Sequence, residues 1–161
     1  MCASDIPAVL RIADRVHPDY PEDEAVFVER LRLAPEGCFV LEMEGAQREL
    51  IAYLVSHPWL ARRPPALNSQ LLALPELPET FYIHDIALLP QARGSGAASS
   101  VVGQLAGMAK EAGYGTLSLV AVNGSTAFWR RHGFAEIDDP ALAHKLRSYD
   151  DEAVFMERAL G

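Results

Sequence analysis

Residues Gln91-Ala92-Arg93-Gly94-Ser95-Gly96-Ala97 set two glycines among small side chains at a strand-to-helix handover. Small side chains expose backbone N–H groups, and the positive end of a helix lies beside them, so a phosphate can be held there almost wholly by main chain. An anion site is expected at this turn, and the plain alternative is an ordinary strand-to-helix connection. A lysine-bearing phosphate loop does not fit, because Ala97-Ala98-Ser99 stand where Lys-Ser/Thr would be needed. A dinucleotide fingerprint fits poorly, because the next strand ends on Val122-Asn123 and not on a carboxylate. His84 and Asp85 lie just upstream of the turn. Strict alternation places Tyr82, His84, Ile86 and Leu88 on one face and Asp85 on the other, which makes Asp85 structural and argues against a His-Asp dyad. His57, before Pro58, reads as a local turn element or as the wall of a pocket. Glu22, Asp23 and Glu24 read as a solvated helix start or as an attractor for a cation.

The elements that must carry these residues follow from periodicity. Ile6, Val9, Leu10, Ala13 and Val16 recur at helical spacing after Ser4-Asp5, with Pro7 in the first turn. A second helix is expected from Pro21 through Leu31, ending near Pro35-Glu36-Gly37. Cys38 to Met43 and Leu50 to Ser56 read as a hairpin across Glu44-Gly45-Ala46-Gln47. From His57 to Thr80 five prolines interrupt any period, and a loop of that length is expected to be functional or mobile. Phe81 to Leu88 is a strand, and Val101, Leu105, Met108 and Ala112 mark the buried face of the helix after the glycine turn. Thr116 to Val122, Phe134 to Ile137 and Ala153 to Leu160 are further strands, with a short helix at Ser125 to His132. The order ααβββαβαββ belongs to an α/β domain with a mixed sheet, one domain over residues 1 to 161.

This arrangement resembles the GNAT superfamily of N-acetyltransferases. The resemblance rests on Ile86-Ala87-Leu88-Leu89-Pro90, on Gln91 to Gly96 as Q/R-x-x-G-x-G/A, and on Val122-Asn123-Gly124-Ser125-Thr126-Ala127-Phe128-Trp129 closing at Gly133-Phe134. It implies a central mixed, mostly antiparallel sheet flanked by helices, and acetyl-CoA as co-substrate. It further implies that backbone groups of Ile86, Ala87 and Leu88 pair with the pantetheine arm. Gln91, Ala92, Arg93, Gly94, Ser95, Gly96 and Ala97 would hold the pyrophosphate, with Asn123, Phe128 and Trp129 flanking the arm. Transfer from a thioester to an amine needs a proton acceptor near the amine. A histidine at the place of His84 serves as base in some members, and the alternative is a histidine satisfied within the sheet. Two departures stand out. Trp129 occupies the place where many members carry a tyrosine as general acid, and an indole N–H does not give up its proton at physiological pH. Tyr149 or Ser125 would then substitute, or the thiolate would leave with hydrogen-bond help alone. The opening strand of the family is shortened or missing, since only Met1 to Ser4 precede the first helix; a sheet edge is thus exposed for a possible homodimer.

Whole-chain properties narrow the classes. A formal net charge of −8 over 161 residues, with both signs interspersed, argues against a nucleic-acid binder. Two cysteines, Cys2 and Cys38, supply neither a disulfide framework nor a metal site. The chain shows no leader and no run of about 20 apolar residues, so a cytoplasmic protein without a membrane span is expected. Two functions remain: an N-acetyltransferase acting on a primary amine of a small molecule or peptide, and a catalytically silent acyl-CoA-binding module. Acceptor recognition is expected from the first two helices, the 57 to 80 loop and the segment near Tyr149.

Overall fold

The computed structural model describes all residues except 44, 46 and 47, which removes most of the expected Glu44 to Gln47 turn from view. Helices α1 (Ile6–Val16) and α2 (Glu24–Leu33) open the chain, followed by strands β1 (Cys38–Met43), β2 (Glu49–Trp59) and β3 (Thr80–Leu88). Then come α3 (Ala97–Glu111), β4 (Thr116–Ala121), α4 (Thr126–Arg131), β5 (Ala135–Glu136), the single-turn α5 (Ala143–Leu146) and β6 (Val154–Ala159). The sheet order is β1-β2-β3-β4-β6-β5, with β3 and β4 parallel and every other pair antiparallel. Met1 to Asp5 form no strand. The N-terminal ammonium instead donates to the Cys38 carbonyl at 3.1 Å, at the end of edge strand β1.

Each face of the sheet has its own core. Val102, Leu105, Ala106 and Ala109 of α3 pack on Leu54, Phe81, Ile83, Leu117 and Leu119. On the other face Ile6, Val9 and Ile12 of α1 and Phe27 of α2 meet Tyr53, Val55, Ala87 and Leu89. The buried stripe of α3 is therefore centred one residue away from the expected one. Val101 and Met108 only flank it and Ala112 is exposed, because small residues let the Val102 side approach the sheet.

Three local departures from the expected elements matter for the site. Helix α2 starts at Glu24, after an extended Asp23, so Pro21 and Glu22 lie outside it and Glu22 is free to turn inward. Strand β2 runs on through Pro58 to Trp59, so His57 is a strand residue paired with Tyr82 and not a turn element. In β3, Val55 faces Asp85 while Ser56 faces Ile83, which leaves His84 as an extra, unpaired residue. Such a β-bulge bends its strand and reverses the alternation. Phe81 and Ile83 face α3, and beyond the bulge Ile86 takes up that side while Ala87 and Leu89 face α1.

Candidate active site

The parallel ladder between β3 and β4 has only two registered pairs, Phe81 with Leu117 and Tyr82 with Ser118. Beyond them the bulge carries β3 away, while β4 stays bound to β6 over six residues. Two strands that part in mid-sheet leave a wedge with main-chain groups on its wall. Leu89 N–H donates to Ile51 O at 2.9 Å, so by alternation Ala87 also turns toward β2 and Ile86 and Leu88 turn toward the wedge. Ile86 O accepts from His17 Nε2 at 3.2 Å and Leu88 O from Arg93 Nε at 3.2 Å, and each carbonyl keeps a second lone pair.

The wedge opens into a cleft of about 520 Å³ whose walls include Ile86, Leu88, Arg93, Gly94, Asn123, Ser125, Phe128 and Trp129. At its mouth Gly94 and Gly96 take φ of +75° and +82°, the left-handed region that glycine enters without penalty. The amides of Ala92 and Arg93 are committed to Leu89 O and Pro90 O. Among the described residues, those of Gly94, Ser95 and Gly96 have no backbone partner and lie exposed at the head of the 15-residue α3. Ser95 Oγ donates to Ala92 O at 2.7 Å and stiffens the turn, and Ala97 N–H reaches Ser95 Oγ at 3.3 Å. Gln91 lies exposed on the approach. Trp129 is 5% exposed and stacks edge-on against Phe128 and Phe134, so its ring closes the floor of the cleft.

A second pocket meets the first at His17, His84, Asp85, Val120 and Val122, and is completed by Tyr20, Glu22, Pro65, Ala66, Leu67, Tyr82 and Tyr149. His84 stands at the junction. Its Nε2 lies 2.8 Å from Glu22 Oε2, with side chains 7% and 8% exposed. Burial pushes the Glu22 carboxyl up, but the charge and hydrogen bond of His84 outweigh it and hold the group below its usual range. The reading of Glu22 as a solvated helix-start residue is thereby corrected; Asp23 and Glu24 are exposed as expected.

The opposite-face assignment for Asp85 is also corrected. The bulge returns Asp85 to the same side as His84, where it accepts from Tyr53 Oη and lies 3.1 Å from His17 Nε2. Burial alone would depress the His17 imidazole, yet the Asp85 hydrogen bond and charge raise it above its ordinary value. His17 carried no readable signal, and Glu22 was read as a helix-start or cation-attracting residue without its link to His84, since the two approach β3 from 69 and 62 residues away.

The remaining candidates are placed as follows. His57 is fully buried, donates from Nδ1 to Pro58 O at 3.0 Å and lines neither pocket; burial, then the nearby His84, lowers its pKa to about 3. Tyr149 lines the second pocket and not the first, and its hydroxyl donates to Pro65 O. Burial raises that phenol to about 12, so it stays protonated at neutral pH. Ser125 lines the first cleft. Both cysteines are free, Cys2 exposed and Cys38 buried. Among the described residues no helix is long and apolar enough to cross a membrane.

Comparison with known proteins agrees with this fold. The family model described as Acetyltransferase (GNAT) family matches residues 6–134. Among solved structures, a chain of the NatC complex bound to Gag peptide and CoA aligns with TM-score 0.74 at 17% identity, covering 99% of this chain and 93% of that one. The ribosomal-protein-S18-alanine N-acetyltransferase of Escherichia coli aligns with TM-score 0.63 at 17% identity, over 100% and 91% of the two chains. The GphF GNAT-like decarboxylase in complex with isobutyryl-CoA aligns with TM-score 0.72 at 18% identity, over 100% and 97%. Identities this low carry the fold and nothing finer. No curated protein matches the sequence.

Proposed function

Because the chain belongs to the GNAT acetyltransferase family, we propose that it moves an acetyl group from acetyl-CoA to a primary amine of a small molecule or peptide. The observation that carries this reading is the position of His84, which borders both the glycine-headed cleft and the pocket beside it. The cleft fits the co-substrate on its own terms. Free amides at Gly94 to Gly96 and the head of α3 suit a pyrophosphate, and the outward carbonyls of Ile86 and Leu88 suit an amide-bearing arm. Asn123, Phe128 and Trp129 supply the opposite wall. Acetyl-CoA brings an activated thioester carbonyl, and the chain supplies position and proton traffic.

A free alkylamine is protonated at neutral pH; it gives one proton to water before it attacks and a second as the amide forms, and the second is the one that needs an acceptor in the site. Glu22 accepts from His84 Nε2–H, since a carboxylate only accepts, which leaves the imidazole lone pair on Nδ1. His84 Nδ1 takes the proton of the attacking nitrogen as the N–C bond forms and the C–S bond breaks. The sulfur leaves with a proton from a hydroxyl, for which Tyr149 and Ser125 are the candidates. Val120, Val122, Leu67 and Pro65 keep the amine's surroundings dry, which strengthens these interactions.

One observation favours a second reading, a silent acyl-CoA-binding module. Trp129 packs into the core, and the Tyr149 hydroxyl is turned to the Pro65 carbonyl, so neither the residue at the family's acid position nor Tyr149 offers a proton toward the cleft. A screen of amine acceptors with acetyl-CoA, read by thiol release and by the mass of the product, separates the two. Enzymatic transfer gives thiol and acetylated amine in equal amounts; the silent module gives neither while still binding acetyl-CoA.

A further inference from the structure

We infer that Glu22 is a positioning residue: its two carboxylate oxygens tie the strap of residues 60–79 to the His84 imidazole, so that the roof of the acceptor pocket and the base are set as one unit. This rests on His84 being the base. The strap lies between β2 and β3, and Pro65, Ala66 and Leu67 form the roof of the second pocket. Immediately after the roof, Asn68 donates its backbone N–H to Glu22 Oε1 at 3.0 Å, while Oε2 of the same carboxylate faces His84 Nε2 at 2.8 Å. Asn68 sits at φ of +48°, a left-handed conformation asparagine tolerates and most residues do not.

The strap is fastened elsewhere by contacts independent of His84. Asp23 N–H donates to Asn68 Oδ1 at 2.7 Å, and Asn68 Nδ2 to Asp23 Oδ2 at 3.1 Å. The buried Glu29 carboxylate takes the amides of Leu71 and Leu72 at 2.6 and 2.9 Å, and Arg30 Nη2 donates to Ser69 O at 2.8 Å. Thus residues 69 to 72 are held to α2, residue 65 is held by Tyr149, and among the described residues the hydrogen-bonded link from the roof between them to the base runs through Glu22. With its side chain only 8% exposed, Glu22 cannot trade either partner for water without cost, so loss of one weakens its hold on the other. An amine that seats under Pro65 to Leu67 therefore acts on the same carboxylate that orients His84, which makes the roof a determinant of which acceptors are acetylated rapidly.

The test is amide-resolved hydrogen exchange on the full chain without acetyl-CoA or acceptor, in wild type, Glu22→Gln and His84→Gln. Coupling through one carboxylate predicts that the Asn68 N–H exchanges about tenfold faster or more in both variants, although among the described residues His84 makes no hydrogen bond to the strap. The Leu105 amide within α3 should stay within about twofold of wild type. A Glu22 that merely fastens the strap predicts acceleration in Glu22→Gln only. Unchanged Asn68 exchange in His84→Gln overturns the inference, as does acceleration of Asn68 and Leu105 by equal factors. If Glu22→Gln does not fold, His84→Gln alone decides. Neither readout involves turnover, so a failed acceptor screen and a failed coupling remain distinguishable.

Discussion

Asp85 collects the Tyr53 hydroxyl and the His17 imidazole on a side chain that is only a fifth exposed, which gives it a structural weight its sequence position hides. Asp85→Asn removes the charge while keeping the shape, and should destabilise the fold by about 1–3 kcal/mol, as losses of charge-assisted buried hydrogen bonds do. The sign of its pH dependence follows from both partners. The Asp85 carboxyl is raised by burial but lowered more by His17 and Tyr53, so its contribution holds above the ordinary carboxylate range and is lost as pH falls through the depressed value. His17 is raised above 6.5, so its share is complete below that value and fades as pH climbs through the raised one. Melts of wild type and Asp85→Asn should therefore differ more at pH 6 than at pH 9. If the Tyr149 hydroxyl supplies the proton to the departing sulfur, Tyr149→Phe lowers kcat by about tenfold or more with KM for acetyl-CoA unchanged; an unchanged kcat turns attention to Ser125. His84 was legible in the sequence because it sits on a strand leading to a glycine turn. The Glu22 contact with His84, the role of His17 and the true side of Asp85 were not, because each depends on contacts distant in sequence or on one unpaired residue.

Strand β3 and the turn that follows it hold most of the site. The sequence carried the turn plainly, since Gly94 and Gly96 occupy backbone positions with positive φ and small residues surround them. It did not carry the bulge, because alternation read from residue types assumes an unbroken ladder, and His84 satisfies the pattern on either assumption. It also understated β2, where Pro58 suggested an end; the strand continues with Pro58 opposite Phe81. At Gly94 and Gly96 a Cβ would meet nothing within 4 Å, so valine there is disfavoured by backbone conformation and by the space a phosphate would need. Gly94→Val and Gly96→Val should each cost about 1–2 kcal/mol of stability. Wild type should gain about 2.7 kcal/mol from acetyl-CoA at a hundredfold excess over Kd. Both variants should lose that gain, as a thermal melt with and without ligand would read. Variants that keep the full ligand-induced rise would move the phosphate site elsewhere.

Across the whole chain, helix and strand order was readable from apolar period and glycine placement, and the family resemblance supplied a mixed, mostly antiparallel sheet; the spatial order of its strands came from the structure. The single-turn α5 was not readable, because four residues are too few to show a period. The net charge is −8, and the unpartnered main-chain N–H groups lie at the Gly94 to Gly96 turn, so the proposed phosphate site relies on backbone geometry instead of on a basic surface. The cleft beyond the wedge meets a pocket bordered by Glu22, Asp85 and three tyrosines, so the molecule joins a glycine-headed cleft to a carboxylate-lined chamber with His84 between them. Acetyl transfer through that junction is tested with an amine that responds in the acceptor screen, by following formation of the acetylated amine by mass in wild type and His84→Ala at saturating acetyl-CoA. If His84 is the base, the rate falls about 10²- to 10⁴-fold in His84→Ala with acetyl-CoA affinity preserved. Equal rates in the two proteins would remove His84 from the chemistry.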